Sequence, residues 1–152
     1  MMKNLAFALQ DYILGIQHVG HVVSDLDAAV ADFEALYGID VNTVRWEPPA
    51  GVDSPSRFAF VTVAGTEFEL IEAREPQMRA QIEKYPSGGA GINHIAWRVK
   101  ELDTVMAMLA EQGVKPGHVT PGGPVRFGSK ALVYLDPATT GGALVELIEI
   151  FE

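Results

Sequence analysis

Two histidines and two glutamates in this chain have the type and spacing to hold a metal ion. His18 and His94 lie 76 residues apart, and Glu69 and Glu146 lie 77 apart, each inside a run of branched apolar residues. Neutral imidazole with carboxylate suits Zn, Ni, Co, Mn or Fe(II). Two of each leave coordination positions open on a five- or six-coordinate ion, and an open position points to catalysis. A strand histidine by itself is more often a hydrogen-bonded core residue. The fact that the His-then-Glu order occurs twice makes these four a candidate site.

The elements that must position them repeat as well. Gly15–Asp27, GIQHVGHVVSDLD, is echoed by Gly91–Asp103, GINHIAWRVKELD, with Ile16 on Ile92, His18 on His94, Val23 on Val99 and Leu26 on Leu102. Phe68-Glu69-Leu70-Ile71-Glu72 is echoed by Val145-Glu146-Leu147-Ile148-Glu149. A repeat this long exceeds the solenoid range of about 20–50 residues and fits one module written twice. In the first copy, 16–23 reads as a strand. Residues 25–37 read as a helix with Ser24 or Asp25 as cap and Gly38 past its end. Strands are expected over 41–46, 57–63 and 67–72, with a Pro/Gly/Ser loop over 47–56. The second copy gives a strand over 92–99 and a helix over 101–112. A strand follows over 114–119, then one or two over 126–135, and a last one over 143–151. The order β-α-β-β-β, twice, makes the fold class α+β, a curved mixed sheet of two tandem modules with helices outside.

One domain is expected over 15–152, with modules at 15–73 and 91–152 joined by a helix over 74–85 and the Gly-rich linker 86–91. Residues 1–14 have no counterpart in the second copy and read as an appended arm packing on the domain or on a partner.

Strand alternation separates the candidates. His18 and His21 are three apart and face oppositely, and position 97, matching His21, is Trp. His21 and His118 read as surface or supporting groups. Glu69 and Glu146 are flanked by apolar residues that would pack under the helices, so they are the inward-facing glutamates. Glu72 and Glu149, nearer the strand ends, are expected to reach solvent. A carboxylate in so apolar a strand is costly unless its charge is compensated. No Lys or Arg stands at an equivalent position in either copy.

Charge and composition exclude several functions. A net charge of −9 opposes a nucleic-acid or anionic-membrane surface. The absence of cysteine removes disulfides, thiolate zinc sites and a cysteine nucleophile, and it fits a reducing compartment. No apolar run of about 18 residues offers a membrane span. The opening MMKNLAFALQDYIL lacks a small-residue cleavage site. The expected location is the cytoplasm.

These residues resemble the vicinal oxygen chelate superfamily of glyoxalase I, extradiol dioxygenases and bleomycin-resistance proteins, and within it most resemble the methylmalonyl-CoA epimerases. The resemblance runs through HVGHVVSDLDAAVADFEALYGI, TEFELIEA, GGAGINHIAWRVKELDTVMAMLAEQGV and DPATTGGALVELIE, from about residue 15 to 150. It implies one divalent ion (Co, Zn, Ni, Mn or Mg) on His18, Glu69, His94 and Glu146. It also implies a homodimer and proton transfer at the carbon beside a thioester carbonyl, through an enolate the metal stabilises. Glu146 would serve as both ligand and acid/base. A second acid is needed on the opposite face of the substrate. Where related epimerases carry Glu before the second ligand strand, this chain has Gly51-Val52-Asp53-Ser54, so Asp53 takes that role, with Glu47 as the other candidate. The "His-Pro-Lys" often found before the last strand is Asp136-Pro137-Ala138 here, which leaves Arg126 and Lys130 as basic candidates for a CoA phosphate.

Three other readings share the four residues. One is a glyoxalase I-like lyase acting on a glutathione hemithioacetal, which would not need Asp53. Another is an Fe(II) extradiol dioxygenase, which resembles a two-His, one-carboxylate site and leaves Glu69 over. The last is a small-molecule binding protein, for which Trp46, Phe58, Phe60 and Trp97 could line a cavity.

Overall fold

The computed structural model describes residues 8–84 and 90–152. Residues 1–7 of the expected arm, the last residue of the expected 74–85 helix and most of the 86–91 linker lie outside that range. Among the described residues eight strands form: β1 Ile13–Val22, β2 Arg45–Glu47, β3 Ser56–Val63, β4 Thr66–Ala73, β5 Gly91–Val99, β6 Val125–Phe127, β7 Lys130–Tyr134 and β8 Val145–Ile150. Three α-helices accompany them among these residues: α1 Leu26–Tyr37, α2 Pro76–Glu83 and α3 Leu102–Glu111. The chain divides into two compact units, His18–His94 and Met1–Gln17 with Ile95–Glu152. The division falls inside β1 and β5.

In the His18–His94 unit the strand order is β2-β3-β4-β1. β1 and β4 are parallel and the other two pairs antiparallel. α1 forms because Leu26, Val30 and Phe33 recur at helical spacing, and all three are buried. They pack with Ala59, Val61 and Leu70 from the strands. Each such side chain contributes about 1.5–3 kcal/mol on burial. The Asp25 carboxylate accepts from Ala28 N at 2.9 Å, and Gly38 ends the helix at φ 69. A left-handed residue at that point favours glycine.

In the other unit the order is β5-β8-β7-β6, with β5 and β8 parallel. Leu102, Val105 and Leu109 of α3 are buried against Val99, Val133 and Leu147. Leu9, Tyr12 and Ile13 pack on this same cluster. Lys100 N donates to Tyr12 O at 3.0 Å. The described part of the arm therefore joins the core built by the second copy.

Two expected strands differ. Residues 41–43 form a 3-10 turn because the Asp40 carboxylate accepts from Asn42 N, and only 45–47 pair as β2. Residues 114–119 make a single bridge, Pro116 with Leu135, in which Gly117 N donates to Tyr134 O at 2.7 Å and Asp136 N donates to Lys115 O at 2.8 Å. Gly117 also packs so closely on Leu135 that its backbone carbonyl would crowd a Cβ.

Candidate metal centre

β1, β4 and β5 bring three of the four residues together within the His18–His94 unit. His18 Nε2 lies 3.1 Å from His94 Nε2. Glu69 Oε2 lies 3.6 Å from His18 Nε2, and Glu69 Oε1 lies 3.9 Å from His94 Nε2. His18 is 5 % exposed and His94 2 %. The register explains the convergence. Glu69 pairs with Gly20 of β1 on one side and Phe60 of β3 on the other. A Cβ at Gly20 would run into the His94 ring, so the missing side chain makes the room that the imidazole fills. Phe60 meets the His18 ring edge-on at 6.4 Å.

Glu146 occupies the equivalent position in the other unit. It pairs with Ala96 of β5 and Tyr134 of β7, the places that Gly20 and Phe60 take beside Glu69. It is 2 % exposed and flanked by Val145 and Leu147, which join the helix-side core.

The donor set fits a divalent ion on geometry as well as chemistry. Nitrogen and oxygen ligands at about 2.0–2.2 Å from a common ion stand about 3–3.5 Å apart when the angles between them are near 90–110°. The two imidazole nitrogens meet that spacing, and the Glu69 oxygens lie a few tenths of an ångström beyond it. Two ring nitrogens this close and this buried gain from a shared cation, which would also compensate the carboxylate.

Glu72 and Glu149, expected to reach solvent, are partly exposed and tied to helix starts. Glu72 Oε2 accepts from Leu26 N at 2.6 Å, at the start of α1. Glu149 accepts from Glu101 N at 3.1 Å and Leu102 N at 2.9 Å, at the start of α3. A helix start leaves N–H groups without intrahelical acceptors and carries partial positive charge, so a carboxylate from the neighbouring strand is held there. The signal was in the sequence: both copies carry a second Glu three residues after the first.

Asp53 is fully exposed on the loop before β3, with Arg74 Nη1 at 3.7 Å from its carboxylate. Glu47 is half-exposed and paired with Arg45 at 3.2 Å. Neither belongs to the buried cluster. Arg126 is exposed and stacks over Phe151 at 4.3 Å, and Lys130 is exposed. His118 is exposed. His21 faces α1, edge-on to Phe33, and burial pushes its pKa below the usual imidazole value. Trp46 and Trp97 pair with the buried Ala59 and Leu147 and pack on the helix-side clusters, while Phe58 and Phe60 share the face of Glu69. Among the described residues, no helix is long and apolar enough to cross a membrane.

A family profile for the glyoxalase/bleomycin resistance protein/dioxygenase superfamily matches residues 17–131. The chain belongs to that superfamily. The ethylmalonyl-CoA/methylmalonyl-CoA epimerase of Cereibacter sphaeroides is 30 % identical over 139 residues, covering 89 % of this chain and 97 % of that protein. The crystal structure of methylmalonyl-CoA epimerase from Mycobacterium tuberculosis superimposes with a TM-score of 0.70 at 25 % identity, over 98 % of this chain and 94 % of the other. A Streptomyces coelicolor methylmalonyl-CoA epimerase in complex with 2-nitronate-propionyl-CoA gives 0.67 at 25 % identity, over 91 % and 98 %. The mixed eight-strand architecture with few helices is thus the superfamily fold.

Proposed function

We propose that this superfamily member is a divalent-metal-dependent epimerase of an α-substituted acyl-CoA, with methylmalonyl-CoA as the first candidate. The carrying observation is the His18–Glu69–His94 cluster, whose two histidines are buried with their nitrogens at ligand spacing. Similarity to epimerases over nearly the whole chain supports the substrate class. In this reading Glu146 completes the ligand set from the second copy, on the strength of its equivalence to Glu69 in register. A bound divalent ion would supply the positive charge that stabilises an enolate oxygen.

The chain's own residues move the proton. One carboxylate takes the hydrogen from the carbon between the thioester and the carboxyl, and the electron pair moves toward the thioester oxygen. A second acid returns a proton to the opposite face, which inverts the centre. Glu146 is one of these two groups: a carboxylate 2 % exposed is shielded from bulk water and can exchange a proton with a carbon acid. Asp53, on the exposed loop before β3, is assigned as the other. A hydroxyl or amide could not substitute for either, because neither accepts a proton near neutral pH.

The test is deuterium wash-in at C2 of methylmalonyl-CoA in D2O, with metal replenished. The wild type should exchange C2–H and interconvert both epimers. Glu146→Gln should lower exchange by about 10²–10⁴-fold, the usual contribution of a positioned acid/base. Asp53→Ala should slow inversion more than wash-in, because one face keeps its base. No exchange by metal-loaded wild type contradicts the epimerase reading, and unchanged inversion in Asp53→Ala removes that residue from the mechanism.

A further inference from the structure

Next to His94 on β5 sits an amide whose orientation the cluster requires. Asn93 is buried beside it, and its Oδ1 lies 2.7 Å from His94 Nδ1. Its Nδ2 is buried with no hydrogen-bond partner among the described residues. A buried amide satisfied only through its oxygen is held for what that oxygen does.

We propose that Asn93 is a positioning residue for His94. Its side-chain oxygen accepts the Nδ1 proton, fixes that tautomer, and leaves the Nε2 lone pair facing His18 and Glu69, ready for a divalent cation. The inference deepens the metal reading and rests on it for its purpose, though the hydrogen bond stands without any ion. A neutral imidazole carries one proton, so an acceptor at Nδ1 makes Nε2 the bare nitrogen. With the amide turned the other way, Nδ2 would donate to Nδ1. The proton would then sit on Nε2, against the His18 nitrogen at 3.1 Å, where it would block coordination. Ligating histidines are commonly oriented by a hydrogen bond at the second nitrogen, and loss of that partner costs about 10–100-fold in metal affinity. Gln17 is the corresponding residue in the first copy, one methylene longer.

Two measurements test this. Long-range proton–nitrogen NMR on metal-free, histidine-labelled protein, above the ordinary imidazole pKa of about 6.5, reads the tautomer directly; the His94 signals are assigned from a His94→Gln variant. The expected pattern is protonated Nδ1 with bare Nε2, and protonated Nε2 overturns the proposal. Zn2+ affinity by competition with a chromophoric chelator reads the consequence. Asn93→Leu should bind about 10–100-fold more weakly, and Asn93→Asp, which keeps the acceptor, should stay within a few-fold of wild type. Equal affinity in Asn93→Leu and wild type also overturns it. If Asn93→Leu does not fold, the wild-type tautomer decides. If wild type binds no Zn2+, the metal reading fails, while the tautomer still answers for Asn93.

Discussion

A glycine and a histidine on neighbouring strands set the geometry of the buried cluster. Gly20 has no Cβ, and the His94 ring occupies the space one would fill. Gly20→Ala should therefore push the imidazole out of line with His18. We expect a stability loss of about 1–3 kcal/mol by urea denaturation, the usual cost of overpacking a filled interior. Zn2+ affinity should fall in the same variant. Full stability with unchanged affinity would show that the ring has slack here. His18, Glu69 and His94, which the structure brings together, were legible in the sequence because their types and surroundings recur at the repeat offset. Gly20 was not, since its partner at the repeat offset is Ala96 and nothing in one strand's sequence tells which ring lies across from it.

At the scale of the elements, Glu72 and Glu149 fasten each module's helix to the strand that carries Glu69 or Glu146. Each lies three residues beyond Glu69 or Glu146, on the opposite face, and receives the first N–H groups of α1 or α3. Glu72→Ala and Glu149→Ala should each cost about 1–3 kcal/mol by chemical denaturation, since part-buried amide donors at the helix starts lose their acceptor. Glutamine, which keeps an acceptor oxygen, should recover part of it. Loss no greater than for an exposed surface substitution would show that water replaces the carboxylate. The helices and most strands were readable from the sequence, because Leu26-Val30-Phe33 and Leu102-Val105-Leu109 carry unbroken apolar periodicity. The 114–119 strand was misread because apolar content there competes with Pro116 and Gly117, and backbone pairing decided the outcome. The capping role was misread for a different reason: a strand-end glutamate looks solvated until the helix start above it is placed.

At the scale of the molecule, duplication gives each compact unit one glutamate in the same register slot, Glu69 on β4 and Glu146 on β8. An ion bound only by the folded chain stabilises it by about 2.7 kcal/mol when the free ion is 100 times its dissociation constant. Thermal unfolding of protein stripped with a chelator should therefore shift upward on adding Zn2+ or Co2+. The His94→Ala variant should lose the shift, and the same shift in that variant would place the ion elsewhere. The superfamily profile and the epimerase relatives fix the architecture, and the chemistry depends on whether one ion is held by residues from both copies. The most direct measurement is anomalous scattering at the cobalt edge from crystals grown with Co2+. The account predicts a single strong peak within bonding distance of His18 Nε2, His94 Nε2 and the carboxylates of Glu69 and Glu146. A peak at any other set of residues, or none at full cobalt loading, would contradict it.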